Sequence, residues 1–200
     1  MSLESSLTRL DHLNICTTDD PFDLNPLAER IRACSNFRFA WQFFATSGYD
    51  LFAKTSARAI LDAIVDREDL HAFLRSSMDA IYPREFTIKR LHPHCSLNLD
   101  NDVFVDTLAR AANDRLGAYS RSLHESSAAE RQPIDALFSK LGKYNALHTV
   151  PGKSPDCETC QHHNSDLISS WFFDIAWDYT LLVIWPERQI VWLGCLTDTD

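Results

Sequence analysis

The chain has 200 residues, of which 45% are hydrophobic and 24% are charged. This length fits one domain spanning residues 1–200, with a core large enough to fold without a metal ion or a disulfide. The formal net charge of −9 argues against a nucleic acid as the main partner, because phosphate binding needs clustered Lys and Arg.

The sequence contains neither a membrane span nor an export signal. No apolar stretch approaches the roughly 20 residues that cross a bilayer. The first residues lack the basic and apolar segments of a secretory signal. We therefore expect a cytoplasmic protein without a membrane partner, in which cysteines are more often thiols or metal ligands than disulfides.

The excess negative charge is concentrated at the two ends of the chain. Residues 1–25 sum to −4 and residues 165–200 to −5, whereas residues 26–164 carry equal numbers of both signs. Such an uneven surface favours a basic protein partner, because opposite charges accelerate the encounter of two proteins. The alternative is a solvated acidic surface that keeps the protein soluble.

The first quarter of the chain predicts a loop, a helix and a strand. Residues 11–25 carry turn formers and little periodicity, which predicts a loop. Asn25 and Pro26 are typical of an N-cap and a first helical position, and the helix is expected to reach about Cys34. Residues 36–45 alternate between aromatic and other side chains, which predicts a strand with one buried aromatic face. Its aromatic residues are Phe37, Phe39, Trp41 and Phe43.

Helices dominate the middle of the chain. Apolar side chains at helical spacing predict one helix after Ser56 and another from about Asp66, ended by Pro83. Residues 85–91 have the pattern of a strand.

The next predicted elements are a long helix and a short one. The long helix begins at residues 101–102 and carries apolar side chains as far as Leu123. Residues 125–132 are predicted to be a polar connection, and Pro133 to open a short helix that Gly142 ends.

The last quarter of the chain predicts a hairpin in the centre of a sheet. Residues 179–185 and 189–196 are apolar on both alternating faces, which is typical of strands covered on both sides. The turn between them is Pro186-Glu187-Arg188. The predicted fold is therefore α+β, with an antiparallel sheet completed by a C-terminal hairpin and several helices packed on it.

Residues 149–166 are the clearest predicted loop, and they contain the stretch CETCQHH. Cys157 and Cys160 have the spacing of a zinc-binding pair, and His162 or His163 would be a third ligand. Candidates for the fourth ligand are His92, His94 and Cys95. A redox pair is disfavoured, because acidic neighbours oppose thiolate formation. The other alternative is a flexible exposed loop with reduced thiols, in which case the protein has no cofactor.

The sequence lacks several signatures of common enzyme classes. It has no G-x-S-x-G, H-E-x-x-H, P-loop or G-x-G-x-x-G motif. A binding protein is therefore the first hypothesis for function. The alternative is a zinc- or thiol-dependent enzyme or regulator built on the CETCQHH stretch.

The acidic C-terminal region supplies the residues predicted to bind a partner. An aromatic side chain between carboxylates is a reasonable anchor for a basic protein, with the charges steering its approach. The alternative for the carboxylates is exposed strand positions and a polar tail. The predicted partner-binding residues are Asp174, Trp177, Asp178, Asp198 and Asp200.

The overall profile of the chain is similar to that of a known class of proteins. In its acidic balance, its length, its α+β organisation and its ending WDYTLLVIWPERQIVWLGCL, the chain resembles bacterial immunity proteins. These proteins neutralise a toxin domain by covering its active site. The resemblance implies a basic toxin domain as partner and no catalytic residues, and it assigns no role to individual residues.

Overall fold

A computed structural model describes residues 14–34, 37–47, 57–78, 96–116, 125–150 and 178–198. These ranges form a six-stranded sheet in the order β1-β2-β6-β5-β4-β3, with every neighbouring pair antiparallel. The strands are β1 Asn14–Thr18, β2 Phe37–Ser47, β3 Ser96–Leu99, β4 Asn145–Val150, β5 Asp178–Trp185 and β6 Ile190–Asp198. The α-helices within the same ranges are α1 Asn25–Cys34, α2 Ala57–Val65, α3 Glu68–Met78, α4 Asn101–Ala111 and α5 Ala128–Phe138.

The C-terminal hairpin lies at the centre of this sheet, as the sequence predicts. Strands β5 and β6 pair along their length and are joined by the short 3₁₀ turn Pro186–Arg188. Their side chains are buried on both faces of the sheet. The consecutive residues Leu182 and Val183 point to opposite faces, and both are 0% exposed. The predicted α+β class with its C-terminal hairpin is confirmed.

Helices cover both faces of the sheet. On one face, α1, α4 and α5 pack on an aromatic-rich layer that includes Phe43, Trp185 and Trp192. On the other face, α2 and α3 pack on aliphatic side chains and on Phe44. The described residues therefore form three layers with the sheet in the middle. Strand β2 is covered on both faces rather than on its aromatic face alone.

Trp185 is the centre of the aromatic layer. Its side chain is 0% exposed, and its ring is parallel to that of Phe138 within 3° at a centroid distance of 6.0 Å. The indole Nε1 donates a hydrogen bond of 3.1 Å to the Phe138 carbonyl. Trp185 therefore joins the central strand to the end of α5 by both packing and hydrogen bonding.

The indole ring of Trp192 lies over Gly194, two residues further along β6. A Cβ atom at Gly194 would come within 2.2 Å of the six-membered ring of Trp192. Only glycine leaves room for the indole, because a real Cβ atom does not approach another heavy atom so closely. The ring also meets Phe104 and Phe138 edge-on.

The edge strand β1 shows that the predicted loop at residues 11–25 is wrong in part. Asn14–Thr18 pairs with the second half of β2, from Phe43 to Ser47. Among the residues of β1 whose side chains are described, Ile15 is buried and the others are not. The sequence of this segment therefore lacks the alternating apolar pattern that predicts a strand. The outward carbonyl of Ile15 accepts a hydrogen bond from Arg67, whose guanidinium also pairs with Asp69 and lies over the ring of Phe44.

The long helix predicted from residues 101–102 to Leu123 is too long. Helix α4 begins there, with the Asp100 carboxylate capping the N–H of Val103. It ends at Ala111 and is followed by a turn in which Asp114 adopts a φ of 55°. The apolar spacing continues past this turn, because the side chains of Ala112 and Leu116 are still buried. Leu123 lies outside the described residues.

The prediction that Pro133 opens a helix is also wrong. Helix α5 begins earlier, at Ala128, because Ser127 and Glu130 form a capping box at its start. Pro133 lies inside the helix and is exposed to solvent. The sequence predicts neither β3 nor β4, and the predicted loop at 149–166 is wrong at its start, because β4 extends to Val150. The predicted strand at 85–91 lies outside the described residues.

Replacing Trp185 with alanine is expected to destabilise the fold by about 3–5 kcal/mol, through lost burial and a residual cavity. Trp185→Phe should cost less, because it keeps an aromatic ring but leaves the Phe138 carbonyl unpaired. Urea unfolding of both variants measures the difference, with Glu187→Ala at the exposed turn as the control. Equal stability of Trp185→Ala and the wild type would show that the ring is not part of the core.

Candidate functional site

Two of the predicted partner-binding residues lie at the same end of the two central strands. Asp178 begins β5 opposite Thr197, and Asp198 ends β6 opposite Phe37 of β2. The two aspartates therefore lie at the ends of neighbouring strands, which are about 5 Å apart in a sheet. Because Asp178 is opposite Thr197 and successive residues alternate, the two aspartates occupy opposite faces of the sheet. We call this pair of strand ends the acidic edge. Asp174, Trp177 and Asp200 lie outside the described residues.

The ends of β3 and β4 lie at the same edge. Ser96, the first residue of β3, pairs with Val150, the last residue of β4. The predicted zinc ligands Cys157, Cys160, His162 and His163 lie outside the described residues, in the connection from β4 to β5. Their role in metal binding stays a prediction. No group of three or more His, Cys, Asp or Glu side chains in the described part of the chain is placed to hold a metal ion.

The acidic start of the chain has a structural role at Asp20. Its carboxylate accepts hydrogen bonds from the N–H groups of Phe22 and Leu24, at 2.8 and 2.9 Å. It also accepts one of 3.0 Å from the indole of Trp41. Trp41 is four residues from Phe37 on β2, or about 14 Å along the strand. Asp20 and Asp198, one from each end region of the chain, thus both lie beside the first half of β2.

A second site, which the sequence did not predict, lies between helices α1 and α5. It is a groove of about 350 Å³ whose floor is formed by the turn after α4. Its walls are mainly apolar, and its polar lining comes from Arg30, Asn113 and Glu130. We call it the helical groove. Its apolar side chains include Leu27, Ala129, Pro133, Ile134 and Leu137.

Hydrogen bonds hold Arg30 at the end of α4. Its Nε donates to the Ala112 carbonyl at 3.0 Å, and its Nη2 donates to the Asn113 side-chain oxygen at 2.7 Å. The Asn113 amide nitrogen in turn donates to the Ala109 carbonyl at 2.7 Å, which fixes the orientation of the Asn113 side chain. The guanidinium therefore has a fixed position although the residue is exposed.

Glu130 is a charged acceptor in the same groove. Its Oε2 accepts hydrogen bonds of 2.7 Å from both the N–H and the hydroxyl of Ser127. Arg115 forms an ion pair with it at 2.8 Å. The hydrogen bonds from Ser127, and then the charges of Arg115 and Arg30, lower the pKa of Glu130, so the carboxylate is ionised at neutral pH.

Two buried ring nitrogens in the core lack a hydrogen-bond partner within the part of the chain that the structure describes. They are Nδ1 of His148 on β4 and Nε1 of Trp192 on β6. His148 is only 7% exposed. Burial lowers its pKa, and the nearby charge of Asp100 opposes this only in part. The neutral imidazole is therefore the form that fits the fold.

Known proteins give no guide to the role of these sites. Comparison with protein-family models, with curated proteins and with solved structures gave no match. Among the described residues, no helix is both long and apolar enough to pass through a bilayer. The function therefore has to be argued from the acidic edge and from the helical groove.

The buried His148 should make the stability of the protein depend on pH. Its pKa in the folded state lies below the ordinary value of 6.5, so the unfolded chain takes up the proton first. The free energy of unfolding is expected to fall as the pH decreases through 6.5, and to recover above it. His148→Gln should show a shallower loss in urea titrations between pH 7.5 and 5. Identical slopes for the variant and the wild type would exclude His148 as the cause.

Proposed function

We propose that the protein binds a basic protein partner at the acidic edge, and that this partner is a toxin domain whose active-site cleft it covers. The observation that carries the proposal is the strand register that places Asp178 and Asp198 at the same end of neighbouring strands, one on each face of the sheet. The charge distribution along the sequence supports it, since the excess negative charge belongs to the two ends of the chain.

The carboxylates contribute mainly to the rate of association. Charges at the rim of an interface attract an oppositely charged surface over about 10 Å at ordinary salt, and so raise the association rate. A toxin cleft that holds phosphate or another anionic substrate is lined by Lys and Arg, and such groups complement the acidic edge. The proposal therefore combines fast capture with steric blocking of the cleft.

The anchor for such a partner has to come from outside the core. Trp185 and Trp192 are both 0% exposed and are part of the aromatic layer, so they cannot contact another protein. Trp177 immediately precedes Asp178 in the chain and remains the proposed aromatic anchor. In this proposal, the hairpin is the structural support of the binding surface rather than the surface itself.

Charge reversal at the acidic edge tests the proposal. The double variant Asp178→Lys with Asp198→Lys should slow association with a candidate toxin domain, sought among the products of the neighbouring genes, by about tenfold or more at low salt. Its association rate should also vary less with ionic strength than that of the wild type. Stopped-flow or surface-plasmon measurements of the association rate provide the comparison.

The control is a double variant with the same change in net charge at another place. Glu187→Lys in the turn between β5 and β6 with Glu68→Lys in α3 replaces two exposed acidic residues, and the turn lies at the end of the hairpin opposite to the acidic edge. It should associate at nearly the wild-type rate. Equal slowing by both double variants would mean that only the net charge matters. The absence of any effector among the neighbouring genes, together with no stable partner in pull-downs, would remove the proposal.

A second candidate function is a zinc-dependent regulator or enzyme built on the CETCQHH stretch. The pairing of Ser96 with Val150 favours it, because residues 92–95 and the segment with Cys157 and Cys160 are joined to the ends of neighbouring strands. This candidate predicts one zinc ion per purified chain. Cys157→Ser should lose the metal, whereas Cys34→Ser, at an exposed cysteine in α1, should keep it. Zinc-free protein with freely titrating thiols would exclude this candidate.

A further inference from the structure

We propose that the helical groove binds a small molecule with an apolar body and a carboxylate group. The groove shares no residue with the acidic edge, so the proposal goes beyond the function proposed above. Its volume of about 350 Å³ lies within the range of about 300–1,000 Å³ typical of small-molecule sites. Mainly apolar walls with a few fixed polar groups are also typical of such sites.

The size of the groove favours a small molecule over a protein partner. Ten residues line it, whereas a standard protein interface uses roughly 20–30 residues from each side. The apolar walls come from both helices, with Leu27 on α1 and with Ile134 and Leu137 on α5. A short aliphatic or aromatic body can therefore contact both walls at once.

Arg30 provides the group that recognises the carboxylate. A guanidinium has five N–H donors, and among the described residues it uses two, for the Ala112 carbonyl and the Asn113 side chain. The remaining donors include the Nη1 side of the fork, whose planar geometry matches a carboxylate. Because Arg30 is already held by two hydrogen bonds, little side-chain freedom remains to be lost when a ligand binds.

The charges around the groove favour an anion despite the presence of Glu130. Its carboxylate is already paired with Arg115 and accepts two hydrogen bonds from Ser127. The charged residues of the lining are Arg30 and Glu130. Because Glu130 is paired with Arg115 outside the lining, Arg30 is the cation that remains available to an anionic ligand. The third polar residue, Asn113, is neutral and is directed towards Arg30.

Binding of octanoate to the full chain tests the proposal, with octanamide as the uncharged ligand of the same length. Amide shifts in two-dimensional NMR titrations should locate saturable octanoate binding at α1 and α5. Arg30→Gln should weaken octanoate binding by about tenfold, the loss expected for a hydrogen bond to a charged group. Arg32→Gln, which replaces another exposed arginine of α1, should leave the affinity unchanged.

A second pair of variants tests the apolar part of the groove. Ala129→Phe should fill it and abolish octanoate binding, whereas Ala128→Phe, at an exposed residue outside the lining, should not. Both positions are exposed, so both variants are expected to fold, and thermal melting checks this.

Four outcomes of the binding experiments would overturn the proposal. They are the absence of saturable binding, equal affinity for octanoate and octanamide, equal effects of Arg30→Gln and Arg32→Gln, and amide shifts located elsewhere. A concentration-dependent dimer that covers α1 and α5 would also overturn it, because a second copy of the chain would then be the occupant.

Discussion

The central hairpin has to be covered on both faces, and the rest of the fold depends on this constraint. Strands β5 and β6 present apolar side chains alternately to the two sides, so either face left open would expose the core to water. Helices α1, α4 and α5 cover one side, and α2 and α3 cover the other. The tryptophans of the hairpin are consequently part of the interior. Strand ends and helix surfaces are what remains available for binding.

The strongest local patterns in the sequence predict the central part of this fold. The hairpin, strand β2 and helix α1 follow from apolar alternation and from the Asn25-Pro26 pair. The short edge strands were missed because their burial comes from their neighbours rather than from their own sequence. Pro133 suggests a late start for α5, because proline is typical of a first helical position, but the capping box at Ser127 starts the helix five residues earlier. The end of α4 was missed because apolar spacing continues through the turn that follows it.

The two candidate sites also differ in how directly they follow from local sequence patterns. The hairpin is predicted by local sequence, and its register brings Asp178 and Asp198 to the same end of the sheet. The sequence identifies both residues as candidates but does not by itself place them together. The helical groove depends on the turn after α4, which brings Asn113 to Arg30 from a position 83 residues along the chain. No local pattern encodes such a contact. Only the packing of three helices on one face of the sheet creates it.

The hydrogen bond from Arg67 to the Ile15 carbonyl affects how copies of this protein can associate. Growth of a fibril by strand addition requires two open edges on each molecule, so that every copy can both receive and donate a strand. In the described sheet, β1 has this outward carbonyl occupied by a bulky cation, while β3 at the opposite edge is only four residues long. Arg67 thus covers part of the edge with which an incoming strand would have to pair, although it belongs to neither proposed binding site.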